Sequence, residues 1–183
     1  MNLIILLIII IFFVQSIELF LFKNDNNKGE IYSKWSIFAF SSSYILLIIS
    51  SIVEYLAMSK KINFTVTTIG FFMINLRFFI KYWAFKSLGE CWSVHVQIKG
   101  DHKLIKQGPY RFLRHPVYLS RIINIIGIPL ITNSYYTLFG FLPINLFLIF
   151  FRIYKEEKLL TKKFGEEYIR YKEETYKLIP LIF

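Results

Sequence analysis

The sequence predicts an all-α integral membrane protein, a bundle of about five transmembrane helices that includes a helical hairpin. Of its 183 residues, 55% are hydrophobic and 20 are phenylalanine, whereas ordinary globular domains are about 45–50% apolar. A single cysteine excludes an internal disulfide framework. The net charge of +10 favours membrane lipids with anionic head groups and an anionic substrate as partners, rather than nucleic acid, in a chain this apolar.

Three apolar stretches in the N-terminal half are long enough to cross a bilayer, which requires ~20 residues. They cover residues 4–22, 35–53 and 62–83. The first is not typical of a secretory signal peptide, because no basic residue precedes its apolar run and no small-residue cleavage pattern follows it. We therefore predict three membrane spans within residues 1–84.

A fourth apolar stretch, residues 122–151, is too long for one membrane helix. Its 30 uncharged residues would extend about 45 Å as a single helix, against a hydrocarbon core of ~30 Å. Helix-breaking and polar residues interrupt it. We therefore expect a helical hairpin that turns near residues 132–134, with a first limb from Pro116 and a second limb to Arg152. Five spans result, and four is the alternative count.

The distribution of basic residues predicts the orientation of the bundle. Residues 85–121 carry seven Lys or Arg against two acidic residues, and residues 152–183 carry eight against six. Because positively charged loops remain on the inner side of a membrane, both segments should face the cytoplasm. The expected location is the cell (plasma) membrane. We predict a single membrane domain, residues 1–183, whose part from 85 to 183 carries the chemistry.

A long polar segment, residues 88–118, separates the third span from the hairpin. It contains all three histidines, His95, His102 and His115, and the only cysteine, Cys91. The histidine spacing matches no zinc motif, so no metal site is predicted, and neither a GxGxxG nor a Walker A loop is present. Cys91 stands at helical spacing from His95 but lacks an orienting third group, and a small buried apolar side chain is the simpler interpretation.

The end of this segment has features of an anion site. Arg114 and His115 precede Pro116, which suits the first turn of a helix. The unpaired N–H groups of such a turn attract anions. Tyr110 and Tyr118 flank the basic run and offer flat faces for stacking or for a cation. A plain cytoplasmic loop with interfacial aromatic residues is the competing interpretation.

A second polar cluster follows the hairpin. Arg152 and Glu156 lie four residues apart, so they share one face of a helix. A surface ion pair, worth about 0.3–0.5 kcal/mol, is one explanation. A partly buried arginine at the membrane edge would instead be a suitable clamp for a carboxylate or phosphate. The residues alone leave both explanations open.

The sequence around these clusters forms two recognisable blocks. The first reads LIKQGPY at residues 104–110 and RHPVY at 114–118, and the second includes EE at 156–157 and FGEEYIRYK at 164–172. Together, and in this order around a hairpin, they resemble the isoprenylcysteine carboxyl methyltransferase family of integral membrane methyltransferases. The wider relatives of that family include phospholipid methyltransferases and membrane sterol reductases. The resemblance covers roughly residues 75–180.

The resemblance implies a function and a set of site residues. It implies a methyltransferase that uses S-adenosyl-L-methionine, held in a cytoplasmic pocket, and that acts on a lipophilic small molecule or lipidated substrate. Carboxyl O-methylation of an isoprenylcysteine-like or other lipid-linked acceptor is the expected reaction. Arg152 is implied as the substrate-positioning residue and Glu156 as a catalytic residue that also contacts the cofactor. The other cofactor contacts that it implies are Gln97, His102, Lys103, Leu104, Ile105, Tyr110, His115, Pro116, Val117 and Tyr118.

Three alternatives remain open. The same fold would serve N- or O-methylation of a phospholipid or a polyketide-derived lipid, for which His115 or Glu156 would be the base. A membrane sterol-type reductase would use a nicotinamide cofactor, but the motifs expected of that branch are not evident. A non-enzymatic lipid-binding protein would need neither cofactor. All methyltransferase interpretations require Tyr118 and Glu156 to share one cavity, and the oligomeric state is not predicted.

Overall fold

The computed structural model describes Phe13 and residues 34–58, 62–89 and 104–179. Apart from Phe13, the predicted first span, residues 4–22, lies outside this part of the chain. The described residues form five α-helices and one short 3-10 helix, with a single isolated β-bridge. They are α1 (Lys34–Ala57), α2 (Phe64–Leu88), the 3-10 helix (Gly108–Arg111), α3 (Pro116–Thr132), α4 (Tyr135–Phe164) and α5 (Glu166–Glu174). The predicted all-α class is confirmed.

Within the described ranges, three helices are long and apolar enough to cross a membrane: Phe38–Ala57 of α1, and the whole of α2 and α4. Helix α3 is apolar but shorter, at 17 residues. Large apolar side chains along these helices point away from the protein, for example Phe72, Phe79 and Phe147. Such side chains suit contact with lipid tails, so we describe the chain as an integral membrane protein.

Helix α1 extends to Ala57, beyond the predicted span of residues 35–53. Glu54, which lies in this extension, caps another helix. Its carboxylate oxygens accept the backbone N–H groups of Tyr136 at 3.2 Å and Thr137 at 2.8 Å, in the first turn of α4. A negative charge at a helix N-terminus pairs with otherwise unsatisfied N–H groups and with the positive end of the helix dipole. Glu54 thus fixes α1 against the start of α4.

The hairpin turns at the predicted position. Asn133 adopts the left-handed conformation with φ 55°, and its N–H closes the end of α3. Its side chain accepts the Asn63 backbone N–H at 3.0 Å and donates to the Thr67 hydroxyl at 2.9 Å. Asn63 in turn caps the start of α2. The turn is therefore anchored to the beginning of α2.

The sequence predicts that the second limb of the hairpin ends at Arg152, but the helix extends further. Helix α4 continues for three more turns to Phe164 and ends where Gly165 takes a positive φ of 53°. Residues 153–164 contain neither Gly nor Pro and are rich in Lys, Glu and Leu, which are good helix formers. Polarity ends the apolar stretch at Arg152, but it does not end the helix.

Helix α3 lies at the centre of the bundle and crosses α2 closely at Gly70 and Gly127. A methyl group at Gly70 would lie 2.7 Å from the Ile131 backbone nitrogen and 2.8 Å from the Gly127 carbonyl oxygen. Small residues at a crossing let two membrane helices approach closely. The core around α3 is formed by buried side chains of four helices: Phe40, Leu47, Ile48, Ile74, Ile125, Ile128, Ile131, Ile149 and Ile153.

We expect Gly70→Ala to destabilise the protein by about 1–3 kcal/mol, because the added methyl group would meet backbone atoms that cannot rotate away. Reversible unfolding in mixed micelles measures this change. Gly140→Ala in α4 is the matched control, because no atom lies within 4 Å of its added methyl group. Equal stability of Gly70→Ala and Gly140→Ala would contradict the close crossing.

Candidate active site

The first turn of α3 meets the polar end of α4 at the side of the bundle opposite the hairpin turn, and Tyr118 lies at their contact. The Tyr118 hydroxyl donates a hydrogen bond to the Glu156 carboxylate at 2.8 Å. It also accepts one from the Nε group of Arg152 at 3.2 Å. Arg152 and Glu156 lie on the same face of α4, with only 9% of Arg152 exposed. We call Arg152, Tyr118 and Glu156 the polar row.

A second polar group lies beside this row and centres on Glu157. One carboxylate oxygen of Glu157 accepts from Nε of Arg114 at 3.1 Å and lies 3.3 Å from Nε2 of His115. All three side chains are largely buried: Glu157 is 12% exposed, Arg114 9% and His115 2%. The His115 ring lies 5.7 Å from the Tyr118 ring. Glu157 therefore holds both residues that precede Pro116 against α4.

The C-terminal segment, residues 175–178, lies along residues 112–115 and fixes their backbone. The Arg114 N–H donates to the Tyr176 carbonyl at 2.8 Å, and the Tyr176 N–H donates to the Phe112 carbonyl at 3.0 Å. The Arg114 guanidinium group also donates to the Lys172 carbonyl at 2.7 Å and to that of Thr175. These bonds tie α5 and the following residues to the segment that begins α3.

Tyr110 and Tyr171 connect the 3-10 helix to α5. The Tyr171 hydroxyl donates to the Tyr110 carbonyl oxygen at 2.7 Å. Burial raises the pKa of Tyr171 to about 12, so the hydroxyl stays protonated and remains a donor at physiological pH. Burial, followed by the nearby Glu156 carboxylate, raises the pKa of Tyr110 well above its usual value of 10. The Tyr110 ring therefore stays neutral close to Glu156.

Helix α1 adds an aromatic floor to the site. The Phe40 ring is buried, and the Cζ atom of Arg152 lies 5.1 Å from its centroid. The Cζ atom of Arg121, on α3, lies 4.3 Å from the same centroid. Such contacts between a guanidinium group and a ring are favourable cation–π interactions. Two arginines from different helices thus share one ring.

The structure brings together only part of the predicted site. Tyr118, Arg152 and Glu156 are hydrogen-bonded. The His115 ring contacts the Tyr118 ring, and Tyr110 lies close enough to Glu156 for the carboxylate to raise its pKa. Pro116 begins α3 and is buried, and Val117, Leu104 and Ile105 are partly buried. Gln97, His102 and Lys103 lie outside the described residues, as do Cys91 and His95. Within the described ranges, no group of three or more His, Cys, Asp or Glu side chains is placed to hold a metal ion.

Three residues at the site were not predicted to act there. Glu157 was noted only as part of a motif, and Arg121 only as part of a basic segment. Arg121 follows Tyr118 by three residues on α3, which places both on one helix face, and an ionisable residue in an apolar helix is by default a functional candidate. The sequence therefore contains a signal that singles out Arg121. Phe40 carried none, because it is one of many aromatic residues in an apolar helix.

Comparisons with known proteins identify the family to which the chain is similar. The sequence model of the isoprenylcysteine carboxyl methyltransferase (ICMT) family matches residues 68–162. The chain is 33% identical over 117 residues to the uncharacterized protein YpbQ of Bacillus subtilis, an alignment that covers 64% of this chain and 69% of YpbQ. It is 25% identical over 149 residues to protein-S-isoprenylcysteine O-methyltransferase B of Arabidopsis thaliana, with 78% and 76% of the two chains covered.

A solved structure has a similar fold. It is the eukaryotic intramembrane Ras methyltransferase ICMT, with a TM-score of 0.71 and 27% sequence identity over 78% of this chain. The match confirms the predicted membrane helix bundle. It covers 53% of the solved chain, so the protein described here spans about half the length of that relative. The region matched by the family model includes the whole polar row.

We expect Glu157→Gln to lower the stability of the C-terminal half by about 3 kcal/mol, because two largely buried partners, the Arg114 guanidinium group and the His115 ring, would lose their carboxylate. Limited proteolysis of the C-terminal segment in detergent, together with thermal unfolding, measures the effect. Glu167→Gln is the matched control: its ion pair with Lys106 at 3.2 Å is exposed, so its removal should cost less than about 1 kcal/mol. Similar losses in both variants would refute the role of Glu157.

Proposed function

Because the chain belongs to the isoprenylcysteine carboxyl methyltransferase family, we propose that it transfers a methyl group from S-adenosyl-L-methionine to the carboxylate of a lipophilic acceptor. Membership in this family confirms the predicted class, an integral membrane methyltransferase. An isoprenylcysteine-like or other lipid-linked carboxylate is the proposed acceptor. The observation that carries the proposal is the polar row, in which Tyr118 links Arg152 to Glu156.

The polar row offers complementary charges to the two reactants. Arg152 is a cation at one end, suited to an anionic acceptor, and Glu156 is a carboxylate at the other, suited to a cationic donor. Along α4, Arg152 lies nearer the apolar part of the helix and Glu156 lies nearer its polar end. A lipophilic acceptor reaching the row from the bilayer would therefore meet Arg152, and a water-soluble donor would meet Glu156.

The residues around the row fit S-adenosyl-L-methionine, which carries a sulfonium, an ammonium and a carboxylate group. Glu156 supplies negative charge, and Tyr110, Tyr118 and His115 supply aromatic surface for a cation or for the adenine ring. No side chain caps the N-terminus of α3, so its first N–H groups suit the carboxylate. When bound, this cofactor supplies an electrophilic methyl group. The predicted contacts at Gln97, His102, Lys103, Leu104, Ile105, Pro116 and Val117 remain part of the proposal.

The protein's contribution to the reaction is alignment. A carboxylate acceptor is ionised at pH 7 and needs no general base. The Tyr118 hydroxyl accepts a hydrogen bond from Nε of Arg152. This bond fixes the plane of the guanidinium group and so the direction in which it would hold the acceptor. Holding the reacting groups in line contributes several kcal/mol to catalysis.

A carboxylate is preferred to the amine or hydroxyl acceptors of the alternative proposal. Those acceptors need a base, and the two candidates are His115 and Glu156. The His115 side chain is 2% exposed and paired with Glu157, and the Glu156 carboxylate accepts a hydrogen bond from Tyr118. An amine or hydroxyl acceptor would have to reach one of these groups to be deprotonated, whereas a carboxylate needs no base.

We propose that the protein lies in the plasma membrane and that the end of the bundle with the polar row faces the cytoplasm. The described segments at this end carry many basic residues, namely Lys106, Arg111, Arg114, Lys155, Lys158, Lys162, Lys163, Arg170, Lys172 and Lys177. Among the described residues, the hairpin end carries Glu54 and uncharged polar residues, and Lys60 and Lys61, between α1 and α2, lie outside the described residues. The positive-inside rule supports the inner orientation, and the cofactor is made in the cytoplasm of cells.

The purified protein should bind S-adenosyl-L-methionine in detergent, and Tyr118→Ala should weaken binding about tenfold or more, because it removes an aromatic face and the hydroxyl that holds the Glu156 carboxylate. Equilibrium dialysis with labelled cofactor measures both affinities. Tyr136→Ala is the control, since Tyr136 lies at the hairpin end with 70% of its surface exposed. Absence of binding by the wild-type protein would refute the proposed function.

Arg152→Ala should separate the two reactants. We expect cofactor affinity to stay within about threefold of wild type, and methyl transfer to N-acetyl-S-farnesylcysteine to fall about 100-fold or more, because the acceptor carboxylate loses its charged partner. Transfer of the labelled methyl group measures the rate. Lys155→Ala, an exposed cation one turn further along α4, is the control. An equal loss of cofactor affinity in Arg152→Ala would show that the arginine serves the donor instead.

A further inference from the structure

We propose that Arg121 is a second arginine for the acceptor, so that Arg121 and Arg152 together select a lipophilic substrate with an anionic head group. The inference rests on the proposed function and names a specificity residue for it. Arg121 lies on α3, three residues beyond Tyr118 and therefore on the same helix face. No role for it follows from the motifs of the sequence.

Arg121 is held in a defined position by α1. Its Nη2 group donates to the Phe40 carbonyl oxygen at 2.9 Å. Its Cζ atom lies 4.3 Å from the Phe40 ring centroid and 5.7 Å from that of Tyr44. Tyr44 is itself fixed by a hydrogen bond from Asn124 at 2.9 Å. A long cationic side chain packed between two rings and a carbonyl has lost most of its freedom before any ligand binds.

Among the described residues, no anion contacts the Arg121 guanidinium group. Its Nε atom is buried and has no hydrogen-bond partner among the described residues. Its described contacts are one carbonyl and two aromatic rings, none of which carries a negative charge. A guanidinium group removed from water without a carboxylate partner is costly. An anionic ligand would offset that cost.

The second arginine lies beside the first. Arg152 lies over the same Phe40 ring, and the charges of Arg121 and Arg152 are close enough to repel one another. An anion that binds near both guanidinium groups would offset this repulsion. A carboxylate or phosphate has several acceptor oxygens, so one group can serve two guanidinium groups.

The depth of the two arginines indicates which reactant they hold. Helix α3 runs from the polar row toward the hairpin turn, so Arg121 lies further into the bundle than Tyr118. Helix α4 runs in the opposite direction, so Arg152 lies further in than Glu156. Both cations are therefore on the bilayer side of the row. A ligand with a charged head and an apolar tail would reach them from the membrane.

The test measures binding of two probes in the absence of cofactor: N-acetyl-S-farnesylcysteine and its neutral carboxamide. The protein is embedded in phosphatidylcholine nanodiscs. The wild type should bind the carboxylate about tenfold or more tightly than the carboxamide, the effect of one charge-assisted contact. Arg121→Gln should lower this preference about threefold or more, because Arg152 alone would then hold the carboxylate, and Arg121→Lys should lower it less. Lys155→Gln, which removes an exposed charge, should behave as the wild type.

The outcomes separate this inference from the proposed function. If Arg121→Gln keeps the full carboxylate preference, or if the wild type has none, the inference is wrong even where the wild type binds S-adenosyl-L-methionine. A loss of cofactor affinity in Arg121→Gln equal to its loss of probe affinity would also overturn it. Arg121→Met, which leaves no new polar group in an apolar site, replaces Arg121→Gln if that variant does not fold.

A further arm distinguishes the acceptor from a lipid phosphate, which has the same charge. Phosphatidylglycerol is added to the nanodiscs, and probe affinity is measured again. We expect a change of less than about twofold, as for a site shaped to an acceptor rather than to bulk lipid. A fall of tenfold or more in the wild type, absent from Arg121→Gln, would assign the arginine pair to a lipid head group and overturn its role in the acceptor site.

Discussion

The arrangement of the site depends on one phenolic hydroxyl between two helices. Tyr118 on α3 accepts a hydrogen bond from Arg152 and donates one to Glu156, both on α4. A cation and an anion one helical turn apart would otherwise pair directly. With the hydroxyl between them, the two charges are kept apart, and the two helices are joined at the point where the apolar part of the hairpin gives way to its polar end.

The rest of the fold keeps this contact in register. Gly70 and Gly127 let α2 approach α3 closely, so α3 occupies the centre of the bundle and its first turn has little room to shift. At the far end, Glu54 and Asn133 fix the hairpin turn against α1 and α2. At the near end, Glu157 and the C-terminal segment hold the residues that precede α3. The hydrogen bonds at both ends are made between elements distant in sequence.

The sequence predicted those parts of the structure that have a local signature. Apolar length and the break around Asn133 predicted the hairpin, and the spacing of Arg152 and Glu156 placed both on one face. The pairing of Glu157 with Arg114 was not predicted, because two adjacent glutamates differ only in the helix face that they present, and the rotation of α4 is set by packing. The Phe40 floor under Arg121 joins residues 81 positions apart, and no periodicity of either helix reports such a contact.

Helix α3 is shorter than the bilayer is thick. Its 17 residues rise about 25 Å, against ~30 Å of hydrocarbon. If the hairpin turn lies at the opposite surface, the Tyr118 hydroxyl is recessed by several Å below the near boundary of the hydrocarbon core. Hydrophobic mismatch is met by tilting of helices or thinning of the bilayer. The thickness of the membrane would then affect how far a lipophilic molecule must move to reach the polar row.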